Sequence, residues 1–291
     1  MKAIKLYLVL FLLTGIFWSC REDEISDESI FKNNKELTGF DKWLLENYTY
    51  PYNILFKYKM EDIQSSLSYH LVPADPDKCI AWAKLIKHLW LETLVECKDM
   101  DFPRQHVPRV IHLVGSGAYN SNNTVILGTA SEGMMITLYL INTLNPANPS
   151  TADLRDRMRT IFHEFGHILH QKKNYAPEFE AITNNDYILG EWGDAANTLQ
   201  IANQLGFVSR YARSEPNEDF VEIIARYVIY GPAAWDAVLR AAGTTGAAKL
   251  TQKLDIVRDY LNISWGIDID ELSRVFETRL SNIDKLDLTR L

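Results

Sequence analysis

Residues 163–167 read His163-Glu164-Phe165-Gly166-His167, within a stretch whose apolar spacing predicts a helix over about 151–172. Two histidines four positions apart lie on one face of a helix, so both imidazoles can reach a single zinc ion. Glu164 lies one step round the helix, where a carboxylate can act on a metal-bound water. The stretch therefore predicts the metal helix of a zinc hydrolase of the peptidase kind.

The alternative interpretation is a half-buried helix that only packs two histidines, and the context of the motif favours the metal. Ser150 or Thr151 can cap the helix, and Asp153 stands in its first turn. The flanks are apolar, so a buried histidine pair would be unsatisfied without a ligand; they are Ile161, Phe162, Phe165, Ile168 and Leu169. Gly166 costs a helix about 1 kcal/mol, which predicts that another segment packs closely against it.

Length and composition are those of a globular protein. The chain has 291 residues, which allows one large domain or two small ones with an ample core. The formal net charge is −8 and the sequence pI is about 5.4. Such an acidic chain is a poor candidate for binding nucleic acid.

The first 19 residues have the pattern of a signal peptide, with Lys2 and Lys5 before an apolar run from Leu6 to Trp18. The run ends at Ser19-Cys20, which resembles a bacterial lipoprotein cleavage site and predicts lipidation of Cys20. The alternative is a signal peptide without lipidation and an incidental cysteine.

The residues after Cys20 are polar and predict a flexible, lipid-anchored tether over 20–35. The acidic run from Arg21 to Glu24 resembles the surface-export signal of Bacteroidota lipoproteins, although a solvated charge run would look the same. We expect a location at the outer membrane, on the cell surface or on its periplasmic face. The globular domain is predicted over 36–291, with an N-lobe over about 36–173 and a helical C-lobe over about 174–291.

Strand patterns stand in the first half of this domain and helical patterns in the second, which predicts an α+β, zincin-like fold. A short helix leading into a strand is expected over 36–60 and an amphipathic helix over 76–98. After Glu178 the pattern is helical, with breaks predicted at Gly190, Gly206, Pro216, Gly231-Pro232 and Gly243 to Gly246. Strands are predicted at 109–115, 125–127 and 134–141, forming a small mixed sheet. Leu127 to Leu138 is the expected edge for binding an extended peptide, with plain sheet core as the alternative.

Cys79 and Cys97 both fall in the predicted helix over 76–98. At 1.5 Å of rise per residue they are about 27 Å apart, and a disulfide needs Cα atoms within about 7 Å. We therefore expect two free thiols.

A catalytic zinc needs a third protein ligand. His170 shares the histidine face but lies about 10.5 Å along the axis from His163, so a role beside the ligands, facing the substrate or in packing is expected for it. Glu218 is the best candidate, because Glu218 and Glu222 lie four apart before a strongly apolar helix. The first carboxylate can bind zinc, and the second can accept the N–H of a ligating histidine. Glu191 is the runner-up, and a solvated acidic first turn is the alternative for Glu218.

The stretch from Tyr211 to Glu222 resembles the lethal-factor-like gluzincins, in which a tyrosine precedes the zinc glutamate by seven residues and another glutamate follows it by four. A wider resemblance is to the zinc-binding metallopeptidase lipoproteins that accompany starch-utilisation-type nutrient importers of Bacteroidota. The segments that carry it are Trp43 with Pro51-Tyr52-Asn53-Ile54, Leu113-Val114-Gly115-Ser116, Leu127-Gly128-Thr129-Ala130, and Gly206-Phe207-Val208 to Glu222. The resemblance implies a gluzincin fold and gives Tyr211 the role of hydroxyl donor to the transition-state oxyanion.

Two functions remain open from the sequence. The first is a surface-anchored zinc metallopeptidase that acts on peptides or glycopeptides, with one catalytic Zn²⁺ and an accessory role in nutrient uptake. The second is a non-catalytic zinc-binding subunit of an outer-membrane importer. The expected partners are a TonB-dependent importer and its surface lipoprotein. Glu164 favours the first function, because a structural zinc site has no need of it.

Overall fold

The computed structural model describes residues 36–60, 69–119, 125–126, 128–131 and 134–291, and Thr38–Leu291 forms one compact unit. The predicted signal peptide, Cys20 and the tether lie outside the described residues. The α-helices are α1 (Gly39–Leu44), α2 (Tyr50–Tyr52), α3 (Pro76–Ile86), α4 (Glu92–Cys97), α5 (Asp101–His106), α6 (Thr151–Lys172), α7 (Glu178–Ala181), α8 (Leu199–Leu205), α9 (Pro216–Tyr260) and α10 (Ile269–Ser281). The strands are β1 (Leu55–Lys57), β2 (Val110–Leu113), β3 (Ala118–Tyr119), β4 (Val125–Ile126), β5 (Gly128–Ser131) and β6 (Met135–Leu138).

Short π- and 3-10 segments join or follow these elements. The π-helical segments are Leu45–Thr49, Lys87–Leu91 and Leu261–Trp265. The 3-10 segments are Ile141–Thr143, Asn184–Asp186, Leu189–Gly193, Tyr211–Arg213 and Ile283–Lys285. The segment Lys87–Leu91 joins α3 to α4, so the amphipathic helix predicted over 76–98 is present with one π-helical insertion.

A four-stranded mixed sheet lies in the N-terminal half, in the order β1-β2-β6-β5. The strands β1, β2 and β6 are parallel, and β5 runs antiparallel to β6. This confirms the α+β class and the small mixed sheet. The strand predicted at 125–127 is real at Val125–Ile126, but it pairs with Ala118–Tyr119 in a separate two-stranded sheet.

The edge prediction is right for β5 and wrong for β6, because β6 is paired on both sides. The edge strand β5 also lies directly against α6. A Cβ added to Gly128 would stand 2.6 Å from Cγ2 of Thr160. Among the described strands, the edge of the sheet at β5 therefore borders the helix that carries the histidines.

Helix α6 has the bounds that its sequence predicts, and Ser150 is its cap: the Ser150 hydroxyl accepts a hydrogen bond from the Asp153 amide at 3.3 Å. The buried face of α6 packs on α9. A Cβ on Gly166 would lie 2.9 Å from Cγ1 of Val221, so the close packing predicted at Gly166 is confirmed. This contact sets the distance between α6, which carries the two histidines, and α9, which carries Glu218.

Helix α9 is interrupted where the sequence predicts breaks. Gly231 and Gly243 have φ values of 75° and 65°, a region that favours glycine, and Pro232 follows the first of them. The two interruptions let the chain turn while it continues to cover the core.

Cys79 and Cys97 are free thiols, as predicted. None of the helices in the described ranges combines the length and the apolar content that crossing a bilayer requires.

Candidate metal centre

Helix α6 and the first turn of α9 bring two histidines and one carboxylate together. Nε2 of His163 lies 2.9 Å from Oε2 of Glu218, and Nε2 of His167 lies 3.3 Å from the same oxygen. Among the residues that the structure describes, His163, His167 and Glu218 form the one group of three with ligand atoms within 4.8 Å of one another.

The donor set fits zinc. A tetrahedral zinc ion with bonds of about 2.0–2.1 Å places neighbouring ligand atoms about 3.3 Å apart. The two Nε2–Oε2 distances, 2.9 and 3.3 Å, are close to that spacing. Two imidazoles and one carboxylate are also a ligand set of catalytic zinc sites, which keep a fourth position open.

The far nitrogen of each imidazole is also engaged, which orients both rings. Nδ1 of His163 lies 3.2 Å from Oε1 of Glu222, and Nδ1 of His167 lies 3.0 Å from Nε2 of His170. When Nδ1 donates to such a partner, Nε2 keeps its lone pair for a metal. Both Nε2 atoms face Glu218, as this arrangement requires.

Glu222 is completely buried and accepts four hydrogen bonds. Oε1 takes bonds from Arg159 (2.9 Å) and His163, and Oε2 takes bonds from Ser209 (2.6 Å) and Arg226 (2.8 Å). Burial acts to raise the pKa of Glu222, but the arginines and His163 hold it well below its usual range. The carboxylate is therefore ionised, and it is placed where the sequence predicts a partner for a histidine.

His170 lies outside the ligand group and is buried beside His167. Burial and the neighbouring His167 lower the pKa of His170 to about 4, so its ring is neutral near neutral pH. A neutral ring with a free Nε2 lone pair can accept the Nδ1–H of His167. His170 therefore lies where its ring can orient the imidazole of His167.

The pKa values of His163 and Glu218 reflect their contact. Burial acts to lower the pKa of His163, but hydrogen bonds with Glu218 and Glu222 raise it to about 9. Burial acts to raise the pKa of Glu218, but its bonds with His163 and His167 lower it to about 2. Glu218 is thus an anion over the whole neutral range.

Tyr211 stands in the 3-10 turn Tyr211–Arg213, with its ring 5.9 Å from that of His163. Burial and the charge of Glu218, to which its hydroxyl is hydrogen-bonded, raise the pKa of Tyr211 well above its usual value. The hydroxyl therefore stays protonated. Glu164 is half-buried and close enough to influence the pKa values of both His163 and Tyr211.

Glu191, the runner-up ligand, is exposed in the 3-10 segment Leu189–Gly193 and lies outside the ligand group. The carboxylate that the structure brings to the histidines is that of Glu218.

Sequence reasoning missed three residues that donate to the Glu222 carboxylate, namely Arg159, Ser209 and Arg226. Arg159 stands four positions before His163, so the helical period alone indicates that it shares the histidine face. Ser209 carries no such signal. Its hydroxyl donates to Glu222 and accepts from the Ala212 amide at 3.1 Å, which ties the turn holding Tyr211 to the carboxylate that holds His163.

An α+β fold whose HExxH helix meets a carboxylate from a second helix defines the zinc-peptidase class of architecture. The family model described as "Putative zinc-binding metallo-peptidase" matches residues 33–270, and the chain belongs to this family. It is also similar to a protein from Bacteroides caccae whose crystal structure is described as that of a putative zinc-binding metallo-peptidase. The two sequences are 39% identical, the match covers 86% of this chain and 95% of that one, and the TM-score is 0.75. No curated protein matches the chain.

Proposed function

We propose that this chain is a zinc-dependent metallopeptidase that hydrolyses peptide bonds. The observation that carries the proposal is the joint placement of His163, His167 and Glu218 as a ligand set, with Glu164 and Tyr211 beside it. A zinc ion bound there supplies Lewis acidity and lowers the pKa of a coordinated water to about 7.

The side chains of the chain then have separate tasks. Glu164 accepts a proton from the attacking water and delivers it to the leaving amine. Tyr211, protonated at neutral pH, donates a hydrogen bond to the oxygen that gains negative charge. Glu222 and His170 keep the imidazoles oriented, and the edge strand β5 can hydrogen-bond an extended peptide.

The test is Glu164→Gln, compared with Glu191→Gln as the matched control at an exposed carboxylate outside the ligand group. Loss of the general base should lower kcat/KM by about 10²–10⁴-fold. Zinc content, measured by elemental analysis, should stay at the wild-type level, because Glu164 is not a ligand. Cleavage of a peptide library that survives Glu164→Gln would contradict the mechanism. Zinc binding with no turnover in the wild type would favour the non-catalytic importer subunit.

We also propose that the chain is exported and anchored at the outer membrane through a lipid on Cys20, where it serves peptide or glycopeptide uptake beside an importer. The support is the sequence of residues 1–35 together with its resemblance to importer-associated lipoproteins. Cys20→Ser should move the protein from the membrane fraction to the soluble fraction and abolish labelling by radioactive palmitate. A wild type that takes up no palmitate would overturn the anchor without touching the peptidase proposal.

A further inference from the structure

The segment Leu189–Gly193 exposes the apolar side chain of Leu189, whose backbone has a strained conformation. Leu189 is 67% exposed and has a φ of 48°, in the left-handed region that a leucine rarely adopts. A strained residue persists only where its surroundings fix it, and such residues concentrate at functional sites. Neither the ligand set nor the catalytic groups account for Leu189.

The surroundings do fix the segment, from both ends. Arg213, nearly buried, donates to the Asp186 carbonyl and to Oδ1 of Asn197 at 2.8 Å, and its own carbonyl accepts from the Ile188 amide at 2.8 Å. Nδ2 of Asn197 in turn donates to the Trp192 carbonyl at 2.8 Å. The backbone that precedes and follows Leu189 is therefore held by buried polar groups.

Trp192 connects this held segment to the metal centre. Its ring meets that of Tyr211 edge-on, with centroids 4.9 Å apart, and Tyr211 in turn lies 5.9 Å from the ring of His163. Two ring contacts thus separate Trp192 from a metal ligand. An extended peptide advances about 3.3–3.6 Å per residue, so a side chain within three residues of the scissile bond can reach Trp192.

We propose that Leu189 and Trp192 form a substrate subsite that binds a large apolar side chain, such as leucine or phenylalanine, within three residues of the scissile bond. This inference rests on the proposed peptidase function. Burial of an apolar side chain against the two residues stabilises the complex in proportion to the area removed from water. The rigid backbone lowers the ordering cost of that contact.

The experiment compares kcat/KM for matched peptides that carry Ala, Leu or Phe at each of three positions on either side of the scissile bond. In the wild type we expect one position where Leu or Phe exceeds Ala by about 10–100-fold. Leu189→Asn keeps a residue that tolerates the left-handed backbone but removes the apolar surface. Leu189→Asn and Trp192→Ala should each reduce that ratio by about 10-fold, whereas Trp192→Phe should retain most of it.

Leu55→Thr is the control, because Leu55 is a leucine of 52% exposure on β1, the strand at the opposite edge of the sheet from β5. It should leave the ratio unchanged. Since the readout is a ratio between peptides, a general loss of activity from a disturbed Tyr211 does not imitate the result. The same ratio should appear in peptide dissociation constants measured on Glu164→Gln.

The two proposals fail in different ways. A wild type that cleaves peptides while Leu189→Asn and Trp192→Ala keep the wild-type side-chain ratio would overturn the subsite alone. A zinc-loaded wild type that cleaves no peptide of the library overturns the peptidase function and the subsite with it.

Discussion

At the scale of single residues, the protonation state of His163 determines the net charge of the centre, because this imidazole contacts two carboxylates at once. Nε2 faces Glu218, and Nδ1 faces the fully buried Glu222. With a pKa of about 9, metal-free His163 holds a proton at neutral pH. A zinc ligand must be a neutral imidazole, so metal and proton compete for the same nitrogen.

Zinc binding at pH 7 should therefore release about one proton from His163. Calorimetric titrations in buffers of different ionisation enthalpy measure this number from the slope of the apparent binding enthalpy. Glu222→Gln removes one of the charges that raise the pKa of His163. The folded Glu222→Gln protein should therefore release fewer protons on zinc binding than the wild type does. Equal proton release from both proteins would contradict the assignment of the released proton to His163. Because protons compete with zinc for His163, zinc affinity should fall as the pH drops below about 9, the pKa of this histidine.

The residues of the centre differ in how far the sequence reveals them. A four-residue interval within one helix is a local signal that the sequence shows directly. His163 and His167 have this interval on α6, and Glu218 and Glu222 have it on α9. Ser209 reaches Glu222 only because the chain between them turns back, and no spacing rule encodes that contact. The same holds for the contact between Trp192 and Tyr211.

At the scale of elements, the crossing of α6 and α9 determines whether the ligands meet. Gly166 and Val221 form the contact point, and Val221 lies three residues after Glu218 on α9. A side chain at position 166 would push the helices apart, since interiors are close-packed and yield little.

Gly166→Ala should consequently destabilise the protein by about 1–3 kcal/mol, although alanine is the better helix former. Zinc affinity should fall as well, because Glu218 moves with α9. Thermal unfolding and zinc titration measure the two effects. Gly190→Ala is the control, since a Cβ there has no atom within 4 Å. Combining Gly166→Ala with Val221→Ala removes the closest contact and should recover part of the loss. A Gly166→Ala protein with wild-type stability and zinc affinity would contradict the role of the crossing.

The elements themselves were predictable to different degrees. The bounds of α6 follow from a local cap and a clear apolar period, so sequence and structure agree at both ends. The strand order β1-β2-β6-β5 pairs segments up to 55 residues apart in the chain, as Leu55 with Val110, and hydrophobic pattern alone does not specify such partners. Val125–Ile126 instead pairs with the nearby Ala118–Tyr119, and a two-residue strand is too short to show a hydrophobic pattern, so the sequence does not indicate that partner.

At the scale of the whole molecule, a buried ion pair connects the first turn of α9, which carries Glu218, with the later part of the same helix. Nζ of Lys253 lies 2.5 Å from Oδ2 of Asp219, and both side chains are completely buried. Lys253 also donates to the Gly206 carbonyl at 2.9 Å, and the Tyr187 hydroxyl donates to Asp219 at 2.9 Å. A lysine in a helical pattern normally indicates a solvated position, so the sequence does not predict the buried pair of Lys253 and Asp219.

Lys253→Met should lower the free energy of unfolding by about 3–5 kcal/mol, because it leaves the carboxylate of Asp219 buried without its partner. Denaturant unfolding measures the loss. Zinc affinity should fall too, since Asp219 directly follows Glu218 and the two move together. Asp219→Asn combined with Lys253→Met removes both charges and should restore much of the stability. Arg274→Met is the control in a surface pair with Glu271, both exposed, and should change stability little. If Lys253→Met unfolds at the wild-type denaturant concentration and binds zinc as well as the wild type does, the ion pair does not support the turn that carries Glu218.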